Sequence, residues 1–467
     1  MRSHWCFLKG FVCSCNNKNV FGRRLSVKGA SGLRPCVACA NIVQRGSDLA
    51  SRARDIFEID CLDRRRLVST SDADIWGHFD RLSAMKGTVS VAAFDRAEKV
   101  YGITHDNAGI LADHALRAHF LPVSSLTFDW QHTYLSNGIA SQEIGNFLGA
   151  CKAVGIARVW SLLEQYCQSN WQCHKQGGKF LRSVHTAWNK TREKASSDHF
   201  KAGASEVLTV YPLLRRFAED LVATQFPNQL RNEIESLVLL CRALDMFQDA
   251  KGGPCDVNRL RRCVDTHLEK HKATYGADAW RPKHHFGMHI ADQVERDQMV
   301  YDCFVVERSH QLVKHAAGPI TNTRNFERSV IGRALLQRLN MVSAWDECPG
   351  PRGQQEPCPS LAEALHVRDV TLAAGGFYSG MVHNSGDILL LAGHMLCLSA
   401  FVISGDNLGV LGYAYDFEQR LSSSCSVWRP QSTHALLWLE GHRLRRAHAW
   451  FARASGSVVV LTPDLEW

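Results

Sequence analysis

The residue composition changes at residues 347–359, where turn-forming residues follow a long stretch with a helical pattern. The stretch reads Glu347-Cys-Pro-Gly-Pro-Arg-Gly-Gln-Gln-Glu-Pro-Cys-Pro359. A helix does not accommodate so many prolines and glycines, and such residues are typical of loops. We therefore predict a linker at 347–359 between a mainly helical body and a separate, small β-rich C-terminal module at residues 360–467.

Residues 138–275 carry the clearest helical pattern. Prolines are sparse there, and leucine and phenylalanine recur every three or four positions, which places them on one face of a helix. The two clearest stripes are Leu213, Phe217 and Leu221, and Leu237, Leu240, Leu244 and Phe247. We predict a helix bundle for this part of the chain.

Shorter patterns predict further elements. A helix is predicted over Asp72–Met85 with Ser71 or Asp72 as its cap, since apolar residues recur there at helical spacing. Those residues are Ile75, Phe79 and Leu82. Ser124–Trp130 is predicted to be a short strand that ends in an acid, Tyr301–Val306 a strand or the first turn of a helix, and Glu327–Leu339 a helix.

The C-terminal module is predicted to be rich in strands. Its short apolar or alternating runs are Ser426–Trp428, Ala435–Leu439, Ala447–Phe451 and Val458–Leu461. The longest apolar run, Ile388–Ser404, contains His394 and is punctuated by glycines. It is therefore predicted to be a buried strand pair or core helix rather than a membrane span, and we expect no membrane partner.

Charge and cysteine content restrict the function classes. The net charge of +8 permits nucleic-acid binding without requiring it. No acid precedes Asp48, a pattern that an organelle transit peptide shares. We interpret the 17 cysteines as reduced thiols, because the N-terminal stretch has no signal-peptide core. Walker A, GxSxG and Rossmann motifs are absent from the sequence, so kinase, hydrolase and dehydrogenase functions have no support.

Two acid-containing motifs are candidates for catalysis. Asp129-Trp-Gln-His132 places a carboxylate three residues before an imidazole, and Glu307-Arg308-Ser-His310 follows an apolar run. Such groups can hold a metal ion beside phosphates. Each motif alone is also explained by ordinary structure: a surface aspartate with a core histidine in the first, and the start of a helix in the second.

Two further motifs contain residue types that bind zinc. Cys36 and Cys39 form a CxxC, but a structural zinc site needs two more ligands. No clean second pair is formed by the nearest candidates, Cys13, Cys15, Cys61 and His78. His285 and His289 share one helical face and can bind zinc, although packing or phosphate contact is the simpler interpretation.

Taken in chain order, these motifs resemble those of CACTA- and Plavaka-type (tnp2-type) transposases, which cut and paste DNA. Lys28-Gly-Ala-Ser-Gly-Leu-Arg-Pro-Cys-Val-Ala-Cys39 resembles their G-x-x-G-x-x-P-C-x-x-C segment, and Asp129–His132 their D-x-M-H box. Lys283–His289 and Cys303–His310 resemble their K-x-H-x-x-x-H-L and F-x-x-E-R block, and Phe326–Val330 their F-E-x-S-V element. The resemblance covers about residues 28–335.

This resemblance implies an α/β fold in which an all-α helical insertion interrupts an RNase H-like core. The core would comprise residues 1–137 and 282–346, and the insertion residues 138–281. Asp129 and Glu307 would be the second and third acids of a DDE triad. Such a triad holds two Mg²⁺ or Mn²⁺ ions for DNA strand cleavage and transfer.

The resemblance also implies supporting residues and partners. His132, Arg308 and His310 would contact phosphate or orient the acids. The implied nucleic-acid contacts are Lys28, Arg34, Lys283, His285, His289 and Lys314. DNA would be the partner, the location would be the nucleus, and a homo-oligomer is an open expectation.

The sequence departs from the family at the first acid of the triad. Residues 11–19 contain no acid, and Asn16 or Asn17 stands where an aspartate is expected. A neutral amide offers no charge to Mg²⁺, which prefers carboxylate ligands. We therefore expect a transposase-derived protein with impaired catalysis. The alternatives are a non-catalytic nucleic-acid-binding or scaffold protein and a zinc-stapled adaptor.

Overall fold

A computed structural model describes residues 32–464 except 49, 51–52, 108, 118, 120, 157–158, 160–161, 164, 167–170, 174–199, 201, 223, 225–227, 252, 305–312, 321–324, 344–349, 379–380, 392 and 440–443. The helices are α1 (Asp72–Met85), α2 (Val91–Tyr101), α3 (Ile139–Ala153), α4 (Ala204–Phe217), α5 (Arg231–Lys251), α6 (Val257–Tyr275), α7 (Pro282–Asp297), α8 (Phe326–Ser343) and α9 (Pro359–Ala364). Short 3-10 or π-helical turns lie at Arg64–Arg66, Ile110–Ala112, His114–Leu116, Gln131–Leu135, Ala218–Val222 and Ala277–Ala279.

The strands are β1 (Ile42–Val43), β2 (Phe57–Glu58), β3 (Gln172–Cys173), β4 (Gly350–Pro357), β5 (Thr371–Tyr378), β6 (Met381–Asn384), β7 (Ile388–Leu391), β8 (His394–Ser404), β9 (Asn407–Ser422), β10 (Cys425–Trp438), β11 (Arg445–Arg446), β12 (Ala449–Ala452) and β13 (Val458–Leu461). β1 and β2 pair in parallel. The other strands form one antiparallel sheet in the order β11-β7-β8-β9-β10-β13-β12-β3, with β5 also on β8 and β4 and β6 flanking β5. The chain thus combines many helices with a large curled sheet.

The predicted helices are confirmed where apolar stripes were clearest. Leu213 and Phe217 of α4 are buried, as are all four residues of the stripe predicted in α5, namely Leu237, Leu240, Leu244 and Phe247. The side chain of Leu221 lies outside the described residues. α1 has the predicted bounds, and the Ser71 hydroxyl accepts a 3.1 Å hydrogen bond from the Asp74 backbone N–H. The Asp74 carboxylate accepts one from the Ser71 N–H in return, which satisfies two backbone donors at the helix start.

The C-terminal sheet confirms one prediction and corrects another. Ile388–Ser404 forms the antiparallel pair β7 and β8, with Gly393 in the turn at a φ of 84°. The prediction of a loop over 347–359 is wrong for Gly350–Pro357, which form strand β4. Proline is tolerated there because, among the described strands, β4 pairs only with β5, so one side of its backbone needs no partner strand. Among the described residues, no helix has the length and hydrophobicity that crossing a membrane requires.

The prediction of a strand over Ser124–Trp130 is wrong. Residues 122–125 form turns, residues 126–129 are irregular, and Trp130 begins a helical turn. The backbone of Phe128 bonds to the side chain of Gln293 from α7, at 2.6 Å through its N–H and 3.1 Å through its carbonyl. These bonds take the place of a strand partner. The described residues between 32 and 346 contain only the two-residue strands β1, β2 and β3, and the RNase H-like core stays a prediction.

A buried ionic network joins the sheet to the helices. Asp245 of α5 and Arg215 of α4 are both fully buried, and their side chains lie 2.7 Å apart. Asp245 also accepts hydrogen bonds from the Tyr211 hydroxyl at 2.6 Å and the Asp464 backbone N–H at 2.8 Å, and His448 Nε2 lies 3.1 Å away. Apolar residues of β10, β12 and β13 complete the joint in one core with the helices: Val427, Ala449, Val459 and Leu461.

We predict that Asp245→Ala destabilises the protein by about 3–5 kcal/mol, because the Arg215 guanidinium is left buried without its charge partner. The matched control is Asp249→Ala, on the same helix, which breaks a surface ion pair with Arg445 and should cost less than about 1 kcal/mol. Denaturant unfolding of both variants measures the difference. Equal losses would show that the network does not hold the two parts together.

Candidate metal centre

Helix α7 carries two histidines toward the N-terminal part of the chain. Proline at the first helical position fits the start of α7, because that position has no intrahelical N–H bond to lose. His285 and His289 are four residues apart and therefore lie one turn apart on the same face. Between them, a Cβ atom on Gly287 would lie 3.2 Å from both Ile139 Cδ1 and the Tyr134 hydroxyl. Glycine there allows α7 to approach α3 closely.

The CxxC segment faces these histidines from a braced loop. Asn41 is buried, and its side-chain amide donates to the carbonyls of Asp55 at 3.0 Å and Arg66 at 2.8 Å. Its side-chain oxygen accepts from the Val68 N–H at 2.9 Å. One residue thus ties the loop that carries Cys36 and Cys39 to the segments on both sides of β2.

The four side chains converge on one point. His289 Nε2 lies 3.5 Å from Cys36 Sγ, 3.4 Å from Cys39 Sγ and 3.1 Å from His285 Nε2. All four potential ligand atoms lie within 4.8 Å of one another, and Cys36, Cys39 and His285 are buried. Burial lowers the pKa of His285, which favours the neutral imidazole that binds metals. Burial, followed by the hydrogen bond with Cys39, raises the pKa of the Cys36 thiol. The cluster is compatible with a bound metal ion.

Sequence reasoning found both halves of this centre but did not join them. Cys36 and Cys39 were candidates for zinc, whereas His285 and His289 were assigned to nucleic-acid contact. The structure brings the two pairs together across 250 residues of sequence between Cys39 and His289. The sequence did contain an indication of this centre. A structural zinc site takes four ligands, and each pair provides the two that the other lacks.

Asp129 is buried, and its carboxylate is saturated with hydrogen bonds. Oδ1 accepts from the backbone N–H groups of Gln131 at 3.0 Å and Cys303 at 3.3 Å. Oδ2 accepts from the His132 backbone N–H at 3.3 Å and from His132 Nδ1 at 2.5 Å. A carboxylate has about four acceptor positions, so a metal ion bound here would have to replace one of these donors.

His132 and Cys303 complete a second cluster around this carboxylate. Potential ligand atoms of Asp129, His132 and Cys303 lie within 4.8 Å of one another. The hydrogen bond with Asp129, followed by that with Cys303, raises the pKa of His132 to about 10. An imidazolium held by a buried carboxylate stabilises the π-helical turn Gln131–Leu135 in which His132 lies.

The other predicted site residues are dispersed or undescribed. Lys283 Nζ donates to the carbonyls of Ser136 at 2.8 Å and Asn137 at 3.0 Å, which ties it to the end of the π-helical turn. Arg34 is partly buried beside Gly102, and Lys314 is exposed. The residues outside the described part are Lys28, Glu307, Arg308 and His310.

No protein-family model, curated protein or solved structure matches this chain. Its function is therefore inferred from the residues and their geometry.

We predict that the His132 ring stays protonated at pH 8, when an ordinary histidine with a pKa of 6.5 is neutral. Because the pKa is raised on folding, the stabilisation is fully present below about pH 6.5 and is lost as the pH rises through about 10. NMR titration of the imidazole nitrogens measures this directly. Asp129→Asn should lower the pKa of His132. His105, whose pKa burial lowers, serves as the internal control. Titration of wild-type His132 near 6.5 would contradict the assignment.

Proposed function

We propose that this chain is a transposase-derived protein, stapled by zinc, that binds DNA without cutting it. The observation that carries the proposal is the convergence of Cys36, Cys39, His285 and His289 on one point. The CxxC and the HxxxH belong to separate motifs of the transposase resemblance. A shared metal ion gives both motifs one physical purpose.

The distances at this centre favour zinc. Bonds of about 2.3 Å to sulfur and about 2.05 Å to nitrogen in a tetrahedron place sulfur and nitrogen about 3.5 Å apart, and two nitrogens about 3.3 Å apart. In the structure, His289 Nε2 lies 3.5 and 3.4 Å from the two sulfurs and 3.1 Å from His285 Nε2. Four protein ligands leave no open coordination position, so the role of this zinc is structural.

The proposed zinc centre is consistent with the proposed RNase H-like fold. It joins residues 36–39 to residues 285–289, which belong to the two segments that an RNase H-like core would bring together around a helical insertion. The mainly helical region between them is consistent with such an insertion. The RNase H-like core is part of the proposal.

The state of Asp129 favours the non-catalytic alternative over an active nuclease. Its four hydrogen bonds hold the carboxylate away from the coordination that two-metal catalysis requires. The first acid is also missing, since Asn16 or Asn17 stands in its place. Mg²⁺- or Mn²⁺-dependent cleavage and transfer, with Glu307 as the third acid, is therefore proposed as the ancestral activity.

DNA is the proposed partner, with the nucleus as the proposed location. The net charge of +8 supports attraction to phosphates, which makes binding dependent on salt. Lys314 is exposed and remains a candidate phosphate contact.

We predict that Cys39→Ser lowers the zinc content by one equivalent per chain and destabilises the protein by several kcal/mol, about the scale at which structural zinc contributes to folding. The control is Cys358→Ser, because Cys358 is a free thiol outside this centre. Elemental analysis and thermal unfolding measure both effects. Unchanged zinc content in Cys39→Ser would overturn the staple.

We predict salt-sensitive DNA binding without cleavage. Affinity for duplex DNA should fall by about tenfold or more between 50 and 200 mM salt, as expected when about two phosphates are neutralised. Lys314→Ala should reduce the salt dependence by about one phosphate. Lys283→Gln is the control, since the Lys283 ammonium is bonded to backbone carbonyls. Affinity that does not respond to salt would contradict DNA binding.

The same protein is tested for nicking of supercoiled plasmid in Mn²⁺. We expect no nicking above that of the double variant Asp129→Ala/Glu307→Ala. Metal-dependent nicking that either substitution abolishes would replace our proposal with an active transposase-type nuclease.

A further inference from the structure

A second group of metal-binding side chains lies inside the helical body. Glu143 of α3 and His267 and His271 of α6 are fully buried. Their potential ligand atoms lie within 4.8 Å of one another. His267 and His271 are four residues apart, so both imidazoles leave α6 on the face that meets Glu143. None of the three belongs to a motif of the transposase resemblance.

The contacts within this group leave several polar atoms unpaired. Glu143 Oε2 is hydrogen-bonded to His271 Nδ1 and lies 3.6 Å from His267 Nε2. Within the described part of the chain, hydrogen-bond partners are lacking for Glu143 Oε1, His267 Nδ1, His267 Nε2 and His271 Nε2. A buried polar atom that is left without a hydrogen-bond partner destabilises the folded state. An ion pair with a purely structural role would therefore leave the folded core destabilised by these unpaired atoms.

From this arrangement we infer that Glu143, His267 and His271 bind one divalent transition-metal ion of the zinc class. Two imidazoles and one carboxylate suit zinc and similar ions, whereas Mg²⁺ and Ca²⁺ prefer oxygen ligands alone. Three protein ligands leave a fourth position for water. Since the three residues are fully buried, the ion is bound as the protein folds.

His284 lies beside this group but is not a ligand. Its ring stacks on His271 with centroids 4.4 Å apart, and its Nδ1 accepts a 3.0 Å hydrogen bond from the Arg281 N–H. The Arg281 carbonyl oxygen lies 3.3 Å from the same nitrogen, and the potential ligand atoms that group with Glu143 do not include those of His284. His284 is therefore a buried histidine of the same environment that provides a matched control.

Cobalt(II) is the probe that separates this site from the cysteine-containing centre. Thiolate ligands give cobalt a charge-transfer absorption in the near ultraviolet, whereas histidine and carboxylate ligands do not. The full-length chain is unfolded under reducing conditions and refolded with Co²⁺ in excess. We expect two cobalt ions per wild-type chain after removal of unbound metal, and one ion without thiolate absorption in Cys36→Ser/Cys39→Ser.

Substitutions in the helical body test the ligands. Glu143→Gln keeps the shape of the side chain and removes its charge, and His267→Gln removes one imidazole. Each should weaken cobalt binding at this site by at least tenfold, a lower bound taken from roughly 10–100-fold losses for residues that merely support ligands. Thiolate absorption should persist in both. His284→Gln should retain both ions.

One cobalt ion in the folded wild-type chain, lost together with the thiolate absorption in the cysteine variant, would overturn the inference. So would two ions retained with full affinity in Glu143→Gln and His267→Gln. The ion without thiolate absorption in Cys36→Ser/Cys39→Ser tests the second site even if the variants in the core do not fold, because an ion bound by Asp129, His132 and Cys303 would show thiolate absorption. Cobalt binding is independent of DNA, so failure of the proposed DNA-binding function would leave this result unaffected.

Discussion

The contact between helices and sheet depends on the buried ion pair between Asp245 and Arg215 and on the hydrogen bonds around it. Asp245 lies in the core, where a lone charge is strongly disfavoured, and it is held by Arg215, Tyr211 and the backbone of Asp464. Arg215 adds a 3.3 Å contact to the Thr462 carbonyl. These groups come from α4, α5 and the residues after β13, so the hydrogen bonds of the carboxylate are complete only when all three have assembled. The ionic network therefore couples correct docking of the sheet to the stability of the helices.

Helix α7 has a comparable role at the cysteine–histidine centre. Its histidines face the CxxC loop. Its Gln293 side chain is hydrogen-bonded to the backbone N–H and carbonyl of Phe128, the residue before Asp129. The Phe128 ring also stacks on His289, with centroids 4.9 Å apart. One helix thus positions both the metal centre and the segment that carries Asp129. A change in α7 is expected to disturb the two together.

Local signals predicted local structure well. The cap at Ser71 and the stripe in α5 depend on neighbours within a few residues, and both predictions are confirmed. Long-range contacts explain the failures: Phe128 bonds to Gln293 rather than to a strand, and β4 is recruited by β5 despite its prolines. The metal centre was missed for the same reason, since its halves are far apart in sequence. The assignment of Glu307 stays a prediction because it lies outside the described residues.

The distance in sequence between the two halves of the cysteine–histidine centre also affects the order of assembly during synthesis. Cys39 leaves the ribosome 250 residues before His289. At about 5–20 residues per second, this separation corresponds to a delay of roughly 10–50 s. Throughout that interval the paired thiols are exposed to oxidants and to competing metals without their histidine partners. In the nascent chain, the Cys36 and Cys39 thiols can therefore be oxidised or bind an incorrect metal until α7 emerges.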